Sequence, residues 1–314
     1  AQFHLTDQGI AASASEVEKK TAVLAAMYVT LTRINAIFQR ELAIKLELVA
    51  NNDRLVFLDP AADGLTNDDV GIMLNEIQGI CDANIGFSNY DIGHIFGQGN
   101  SAGAAELGAT CTSKKAQGAT RTNSPKGDAF DVDFVAHEIG HQLGATHTFN
   151  NHCSGNRTNA TAVEPGSGST IMAYTGICAP NVQGDSDAYF HSVSLEQITE
   201  AFVYGNDRCG ILTDIGNAAP IADAGENYTI PISTPFQLEG LGNAQAGTAS
   251  YTWEQRNTEQ AIMPPVSDNL GGPLFRSIPP IAESFRYFPA INTLLNGELG
   301  STWEQLPSVE RQLD

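Results

Sequence analysis

A stretch of eleven residues, from His137 to His147, combines three histidines, a glutamate and a glycine at fixed spacings. It reads H-E-x-x-H-x-x-G-x-x-H. If the stretch is helical, His137 and His141 lie four residues apart, so both imidazoles leave one face of the helix a turn apart. Two imidazoles arranged in this way can occupy two corners of a tetrahedral zinc site, whose Zn–N bonds measure about 2.0–2.1 Å. The pattern therefore predicts a metal site on a helix.

The remaining fixed positions of the stretch predict a catalytic site rather than a structural one. Glu138 is adjacent to the first histidine and can act as general base toward a water molecule on the metal. Gly144 lies where the chain leaves the helix, in a conformation that is open to glycine and costly for other residues. A sharp turn there would bring His147 back as the third ligand. Three protein ligands leave the fourth position to water, which is typical of catalytic zinc sites.

This motif resembles that of the metzincin clan of zinc endopeptidases, and a second segment supports the resemblance. Residues 169–174 are similar to the clan's Met-turn, in which Met172 would form a hydrophobic floor beneath the zinc. Methionine suits that place because its flexible thioether fills irregular space without competing strongly for zinc. Tyr174 follows the methionine by two residues, as in astacins, serralysins and pappalysins. The resemblance implies that its phenol approaches the zinc or hydrogen-bonds the oxyanion of the tetrahedral intermediate.

Within the clan, two families share features with this chain. A cysteine that ends one strand, a second strand over 118–122 and then the active helix resemble the order found in reprolysins. Thr148 and Phe149 after the third histidine, together with the Met-x-Tyr turn, are similar to the pappalysins. We interpret the chain as a reprolysin-like metzincin of the secreted bacterial type with pappalysin-like features. The resemblance covers roughly residues 1–214.

Five cysteines are present, at positions 81, 111, 153, 178 and 209. Their spacing alone does not determine which of them pair. The resemblance to reprolysins implies a Cys111–Cys209 disulfide, which would tie the sheet to the C-terminal helix, and a Cys153–Cys178 disulfide, which would brace the loop before the Met-turn. Cys81 is left over and is expected to be a buried thiol. A cysteine-rich zinc site is rejected because the chain has no C-x-x-C pair.

The order of elements predicts an α/β (α+β) catalytic domain with a mixed, mostly parallel twisted sheet and an active-site helix. We predict strands over 2–5, 43–50, 54–58, 91–96 and 118–122, and helices over 15–41, 68–83 and from Ser194 to near Tyr204. The segment 104–111 looks like the edge strand that lies along the substrate in metzincins, although a poorly ordered glycine-rich loop is the alternative. Small side chains there would let an extended peptide pair by β-augmentation. The residues expected along this edge are Ala104, Ala105, Glu106, Leu107 and Gly108.

The composition changes after Cys209, so we predict a catalytic domain over 1–214, a linker over 215–220 and a C-terminal module over 221–314. Short strand-like runs over 228–232, 236–238 and 250–255, separated by turn residues, are typical of a β-sandwich. The module resembles the immunoglobulin-like repeats appended to secreted bacterial proteases. Since few such runs follow position 257, we expect an incomplete, truncated all-β module.

The charge balance restricts the partners of the chain. Its 36 acidic and 16 basic residues give a formal net charge of −20, and this acidity argues against nucleic acid and anionic membranes as partners. No apolar run of membrane-spanning length and no signal peptide are found. We therefore expect a secreted mature fragment without its export signal and propeptide. The sequence is silent on oligomeric state. Calcium could bind Asp128, Asp131 and Asp133, but carboxylates near a helix start are also stabilised by the helix dipole.

These observations predict a secreted zinc metalloendopeptidase that hydrolyses internal bonds of protein or peptide substrates, with Glu138 as general base. Two alternatives remain. One is a metzincin-fold adhesion or matrix-binding protein in which proteolysis is secondary, and the presence of Glu138 argues against it. The other is a toxin-type protease with one host target, which the sequence does not separate from a general protease.

Overall fold

The computed structural model describes residues 1–201, 205, 209–244 and 246–314. The chain forms two compact units, each assembled from two stretches of sequence. The first unit comprises Ala1–Thr146 and Ser194–Gly210. The second comprises His147–Val193 and Ile211–Asp314.

The first unit begins with three helices, α1 (Gln2–Asp7), α2 (Glu16–Leu42) and α3 (Val70–Asn84). The predicted helices over 15–41 and 68–83 are confirmed, whereas the predicted strand over 2–5 is wrong. Over so few residues the alternation of apolar and polar side chains does not separate a strand from one helical turn. Helix α2 starts with a capping box, in which Ser15 and Glu18 each accept a hydrogen bond from the other's backbone N–H.

Helix α2 is the longest element of the described residues, and its inner face forms part of the core. Ile34, Ile37 and Phe38 are fully buried. By length and composition alone α2 is apolar enough to cross a membrane, a test that core helices and signal sequences also pass. The expectation that the chain has no run of membrane-spanning length is therefore not met by α2, which satisfies the criteria of length and composition.

A mixed three-stranded sheet supports the first unit. It consists of β1 (Ile95–Gly97), β2 (Ala102–Ala105) and β3 (Gly118–Arg121), in the order β1-β3-β2. β1 pairs with β3 in parallel and β2 pairs with β3 in antiparallel orientation. The sheet is thus mixed as predicted, but among the described strands it is not mostly parallel.

The predicted strands over 43–50 and 54–58, which would have extended the sheet, are wrong. Helix α2 ends at Ala43 in a left-handed conformation with a φ of 53°. The Asn35 side chain then bonds both backbone groups of Leu46, donating to its carbonyl at 2.8 Å and accepting from its N–H at 2.7 Å. A side chain thus takes the place of a neighbouring strand. Asn52–Leu55 forms a 3₁₀ turn.

The helix that carries the histidine motif is assembled from three consecutive pieces. α4 (Asp128–Phe130) continues into a π-helical segment (Asp131–Ala136) and then into α5 (His137–Gln142). π-Helical turns inside α-helices occur frequently at functional sites. A later helix, α6 (Ser192–Thr199), begins two residues before the predicted Ser194, and its predicted end near Tyr204 lies outside the described residues.

Within its described residues, the second unit holds three separate antiparallel strand pairs. β4 (Ile221–Asp223) pairs with β6 (Leu241–Asn243), β5 (Phe236–Glu239) with β7 (Phe285–Phe288), and β8 (Gly300–Ser301) with β9 (Glu304–Gln305). A short helix, α7 (Ile291–Leu295), lies among them. The core contains Leu274, Phe275, Phe288 and Leu306. An immunoglobulin-like sandwich is not confirmed, and the expected domain boundaries stay a prediction.

Candidate metal centre

The two histidines of α5 project from one face of the helix, as their spacing predicts. Their ring centroids are 4.7 Å apart and the rings stand nearly perpendicular. The chain then turns at Gly144, whose φ of 107° lies in the left-handed region that favours glycine. After this turn, ligand-capable nitrogen atoms of His137, His141 and His147 all lie within 4.8 Å of one another. The structure therefore brings together the three histidines that the motif singled out.

Backbone carbonyls fix the orientation of two of these rings. Nδ1 of His141 lies 2.7 Å from the carbonyl oxygen of Ala145, and Nδ1 of His147 lies 2.8 Å from that of Asn156. A carbonyl oxygen only accepts, so each Nδ1 carries a proton and each Nε2 keeps its lone pair for a metal. Burial lowers the pKa of His147, which favours the neutral form. Three neutral imidazoles are a donor set that fits zinc.

Glu138 is buried beside these histidines with unmet hydrogen-bonding capacity. Its side chain is only 6% exposed, and its Oε2 atom has no hydrogen-bond partner among the described residues. Burial raises the pKa of the carboxyl to about 8, and a nearby metal cation would act in the opposite direction. An orphaned buried carboxylate oxygen is costly unless a further group binds it. A water molecule on a metal would meet that need.

Gly103 lies against Glu138, a contact that the sequence analysis missed. A Cβ atom at Gly103 would lie 2.2 Å from Oε1 of Glu138 and 2.7 Å from its Cδ. Because Gly103 ends the stretch 97–103, whose glycine, serine and asparagine residues are typical of a loop, no local pattern pointed to it. Only the pairing of β2 with β3 and the packing of α5 bring the two residues together.

The edge strand is shorter than predicted and starts earlier. β2 contains Ala104 and Ala105, and the Glu106 N–H still donates to the carbonyl of Gln117 at 2.9 Å. Leu107 is exposed, and Gly108 has a φ of 62°, so the extended conformation ends before the predicted position 111. The N–H of Gly108 instead donates to the carbonyl of His141 at 2.9 Å.

A buried network fastens α5 to the sheet. The Gln142 side chain is fully buried and donates to the carbonyl of Gly93 at 2.8 Å. Its Oε1 lies 2.8 Å from Nδ1 of His94, whose Nε2 lies 3.3 Å from the Thr120 hydroxyl. Burial lowers the pKa of His94 to about 4, so this ring is neutral at neutral pH. The residue after the second motif histidine therefore anchors the helix.

The predicted Met-turn lies in the second unit together with the third histidine. Met172 is fully buried, and its carbonyl accepts a hydrogen bond from the Thr148 N–H at 3.2 Å. The Tyr174 ring lies 4.5 Å from the His147 ring and 4.6 Å from the Phe149 ring, measured between centroids. Phe149 and Tyr174 thus pack against each other next to the third histidine.

Glu164 is a second residue that the sequence analysis missed. Its carboxylate is buried and accepts hydrogen bonds from the Thr148 hydroxyl at 2.6 Å and the Thr170 hydroxyl at 2.5 Å. It also accepts from the backbone N–H groups of Ser169 and Thr170, at 2.7 and 3.1 Å. Glu164 therefore ties the segment after His147 to the Met-turn. Its position in a polar loop gave no signal.

Both predicted disulfides are present. Cys111–Cys209 joins residues 98 positions apart, and Cys153–Cys178 joins residues 25 positions apart. Cys81 is a buried free thiol, as expected, and burial raises its pKa to about 12.

Calcium binding is not shown. The Asp128 carboxylate instead receives two hydrogen bonds from Arg33, at 2.7 and 2.9 Å, and Asp131 accepts one from Thr30 at 2.7 Å. Within the part of the chain that the structure describes, the three motif histidines are the one group of three or more potential ligands placed to hold a metal ion.

Two histidines one turn apart on α5 and a third histidine after a glycine turn form a donor set of the kind found in metallopeptidases. Residues 5–201 match the family model described as Metallo-peptidase family M12B Reprolysin-like, and the chain belongs to this family. A comparison with curated proteins gave no match. The reprolysin-like prediction is confirmed. The chain is a zinc metalloendopeptidase, which implies protein or peptide substrates and favours an enzyme over the adhesion alternative.

Proposed function

We propose that this chain is a secreted endopeptidase in which His137, His141 and His147 hold the catalytic zinc and Glu138 is the general base. The observation that carries the proposal is the buried, unpartnered Oε2 atom of Glu138, one residue after a histidine of the cluster. A zinc ion held there supplies Lewis-acid chemistry, because it acidifies a water molecule and polarises the carbonyl of the scissile bond.

Glu138 moves the proton in this scheme. Its Oε2 takes a proton from the attacking water and then delivers it to the leaving amine. The burial that raises the pKa of this carboxyl strengthens its affinity for the proton that it must carry. The Nδ1 contacts of His141 and His147 meanwhile hold the imidazoles in one orientation.

Tyr174 is the proposed donor to the oxyanion of the tetrahedral intermediate. Its ring packs against His147 and Phe149, and its backbone N–H donates to the carbonyl of Ser167 at 3.0 Å. A hydroxyl on a ring that is held by packing requires little reorganisation when charge develops in the transition state.

Substrate is proposed to pair with the outer edge of β2. The strand order β1-β3-β2 places β2 at the edge of the described sheet, and Ala104 and Ala105 have small side chains. Such an edge accepts an extended peptide through backbone hydrogen bonds. Glu106, Leu107 and Gly108 follow the strand and would contact substrate residues beyond this pairing.

Secretion is supported by the two disulfides, since disulfides persist in oxidising environments outside the cell. The large negative charge is in keeping with a soluble exported enzyme.

The test of this function is Glu138→Ala in the full chain, assayed on a library of fluorogenic peptides. We expect one zinc equivalent to remain bound while kcat/KM falls by roughly 10³-fold or more, because the ligands stay but the proton carrier is lost. The exposed Glu226→Ala variant is the matched control and should retain activity. Near-normal turnover by Glu138→Ala would show that this carboxylate is not the base.

A further inference from the structure

Gly103 has no conformational reason to be glycine. It lies within β2, opposite Thr120 of β3, and its φ is not in the left-handed region. Any L-amino acid can adopt extended backbone of this kind. The reason for glycine must therefore lie in the space around its α-carbon.

That space is filled by the end of one side chain. A Cβ atom at Gly103 would lie 2.2 Å from Oε1, 2.7 Å from Cδ and 2.8 Å from Cγ of Glu138. All three distances are far below the 3.5–4.0 Å at which carbon atoms pack. The three nearest atoms all belong to Glu138, which has rotatable bonds, so a methyl group here would displace the carboxylate before it moved the sheet.

We infer that Gly103 is a positioning residue for Glu138, an inference that rests on the proposed function. The missing side chain lets the carboxylate lie against the edge strand, with its Oε2 buried and without a hydrogen-bond partner among the described residues. A larger residue at position 103 forces the carboxylate into another rotamer. The protein then keeps its metal ligands but loses the alignment of its general base.

The experiment compares Gly103→Ala with the native full-length chain. We expect kcat to fall by about 10²-fold, the effect of misplacing a catalytic group by roughly 1 Å, with zinc content unchanged and KM within about threefold. Gly79→Ala in helix α3, where a Cβ atom would meet nothing within 4 Å, is the matched control and should keep native kcat. Native kcat in Gly103→Ala would overturn the inference.

A double-mutant cycle separates positioning from a general loss of stability. In a Glu138→Ala background the clash is gone, so adding Gly103→Ala should change neither the residual hydrolysis nor the melting temperature. If Gly103→Ala lowers the hydrolysis by the same factor and the melting temperature by the same amount in the two backgrounds, the glycine is structural and the inference is wrong. The same conclusion follows if only the double variant fails to fold. If Glu138→Ala itself keeps native activity, the proposed function fails instead, which distinguishes the two failures.

Discussion

Two buried glutamates, Glu138 and Glu164, differ in how completely their carboxylates are hydrogen-bonded. Glu138 has an oxygen atom without a partner among the described residues, whereas Glu164 accepts four hydrogen bonds of 3.1 Å or less from Thr148, Ser169 and Thr170. A saturated carboxylate contributes structure, because every lone pair is already used. An unsaturated one is available to bind and move a proton.

Glu164→Ala should therefore cost stability. The substitution leaves two backbone N–H groups and two hydroxyls without their acceptor in a buried loop, so we expect the free energy of unfolding to fall by about 3 kcal/mol or more. Urea denaturation of the zinc-loaded chain measures it. The exposed Glu226→Ala variant should stay within about 0.5 kcal/mol of the native value, and an equally small change for Glu164→Ala would contradict the assigned role.

Among the secondary-structure elements, the six-residue helix α5 is held in place by hydrogen bonds that its last residue makes outside the helix. The Gln142 side chain reaches Gly93 and His94, and His94 in turn reaches Thr120 of β3. This attachment sets the direction in which His137 and His141 point. It also contains a titratable group, His94, whose pKa is lowered by burial.

The lowered pKa of His94 predicts that the folded protein loses stability in mild acid. Burial lowers the pKa of His94 to about 4, against about 6.5 in an unfolded chain. Between pH 4 and pH 6.5 the unfolded chain binds a proton at this residue and the folded chain does not. The contribution of the neutral ring to the free energy of unfolding is therefore complete above pH 6.5 and is lost as the pH falls toward 4. Between pH 7 and pH 5 we expect this residue to account for about 2 kcal/mol.

The measurement is the free energy of unfolding at pH 7 and pH 5 for the native chain and for His94→Asn. The stability difference between the two proteins should shrink by about 2 kcal/mol at the lower pH. His152→Asn, at an exposed histidine, should follow the native chain at both values. An unchanged difference for His94→Asn would show that the ring does not titrate as its burial implies.

Local signals in the sequence predicted local structure. The capping box at Ser15 gave the start of α2, and the spacing of the motif gave the histidine group. The strand predicted over 43–50 failed because Asn35, eleven residues away, satisfies the backbone of Leu46. Gly103 could not be found because Glu138, which it contacts, is distant in sequence. Glu164 could not be found because an irregular loop, which no periodic pattern marks, brings its partners to it.

At the scale of the whole molecule, the C-terminal segment shares a compact unit with the Met-turn. Residues 211–314 form one compact unit with residues 147–193, which hold His147 and the Met-turn. Ser277 connects the C-terminal segment to the Met-turn region through hydrogen bonds. Its hydroxyl lies 2.7 Å from the Tyr189 hydroxyl and donates to the buried Glu254 at 2.6 Å, while the Tyr189 carbonyl accepts from the Ile171 N–H at 3.1 Å.

Ser277→Ala should weaken the Met-turn region from a distance. It removes a partner from two buried polar groups, so we expect a loss of about 1–3 kcal/mol in the free energy of unfolding and faster amide exchange at Ile171. Hydrogen exchange read by mass spectrometry checks both effects. The exposed Ser250→Ala variant is the control, and native exchange rates at Ile171 in Ser277→Ala would refute the connection.

The central claim is that zinc on three histidines is the catalytic centre of this chain. Stepwise addition of zinc to chelator-treated protein, with bound metal and peptide hydrolysis measured on the same samples, tests it most directly. Activity should rise in proportion to bound zinc and reach its maximum at one equivalent, and His147→Ala should neither bind that equivalent tightly nor recover activity. Full hydrolysis by the metal-free protein would contradict the claim.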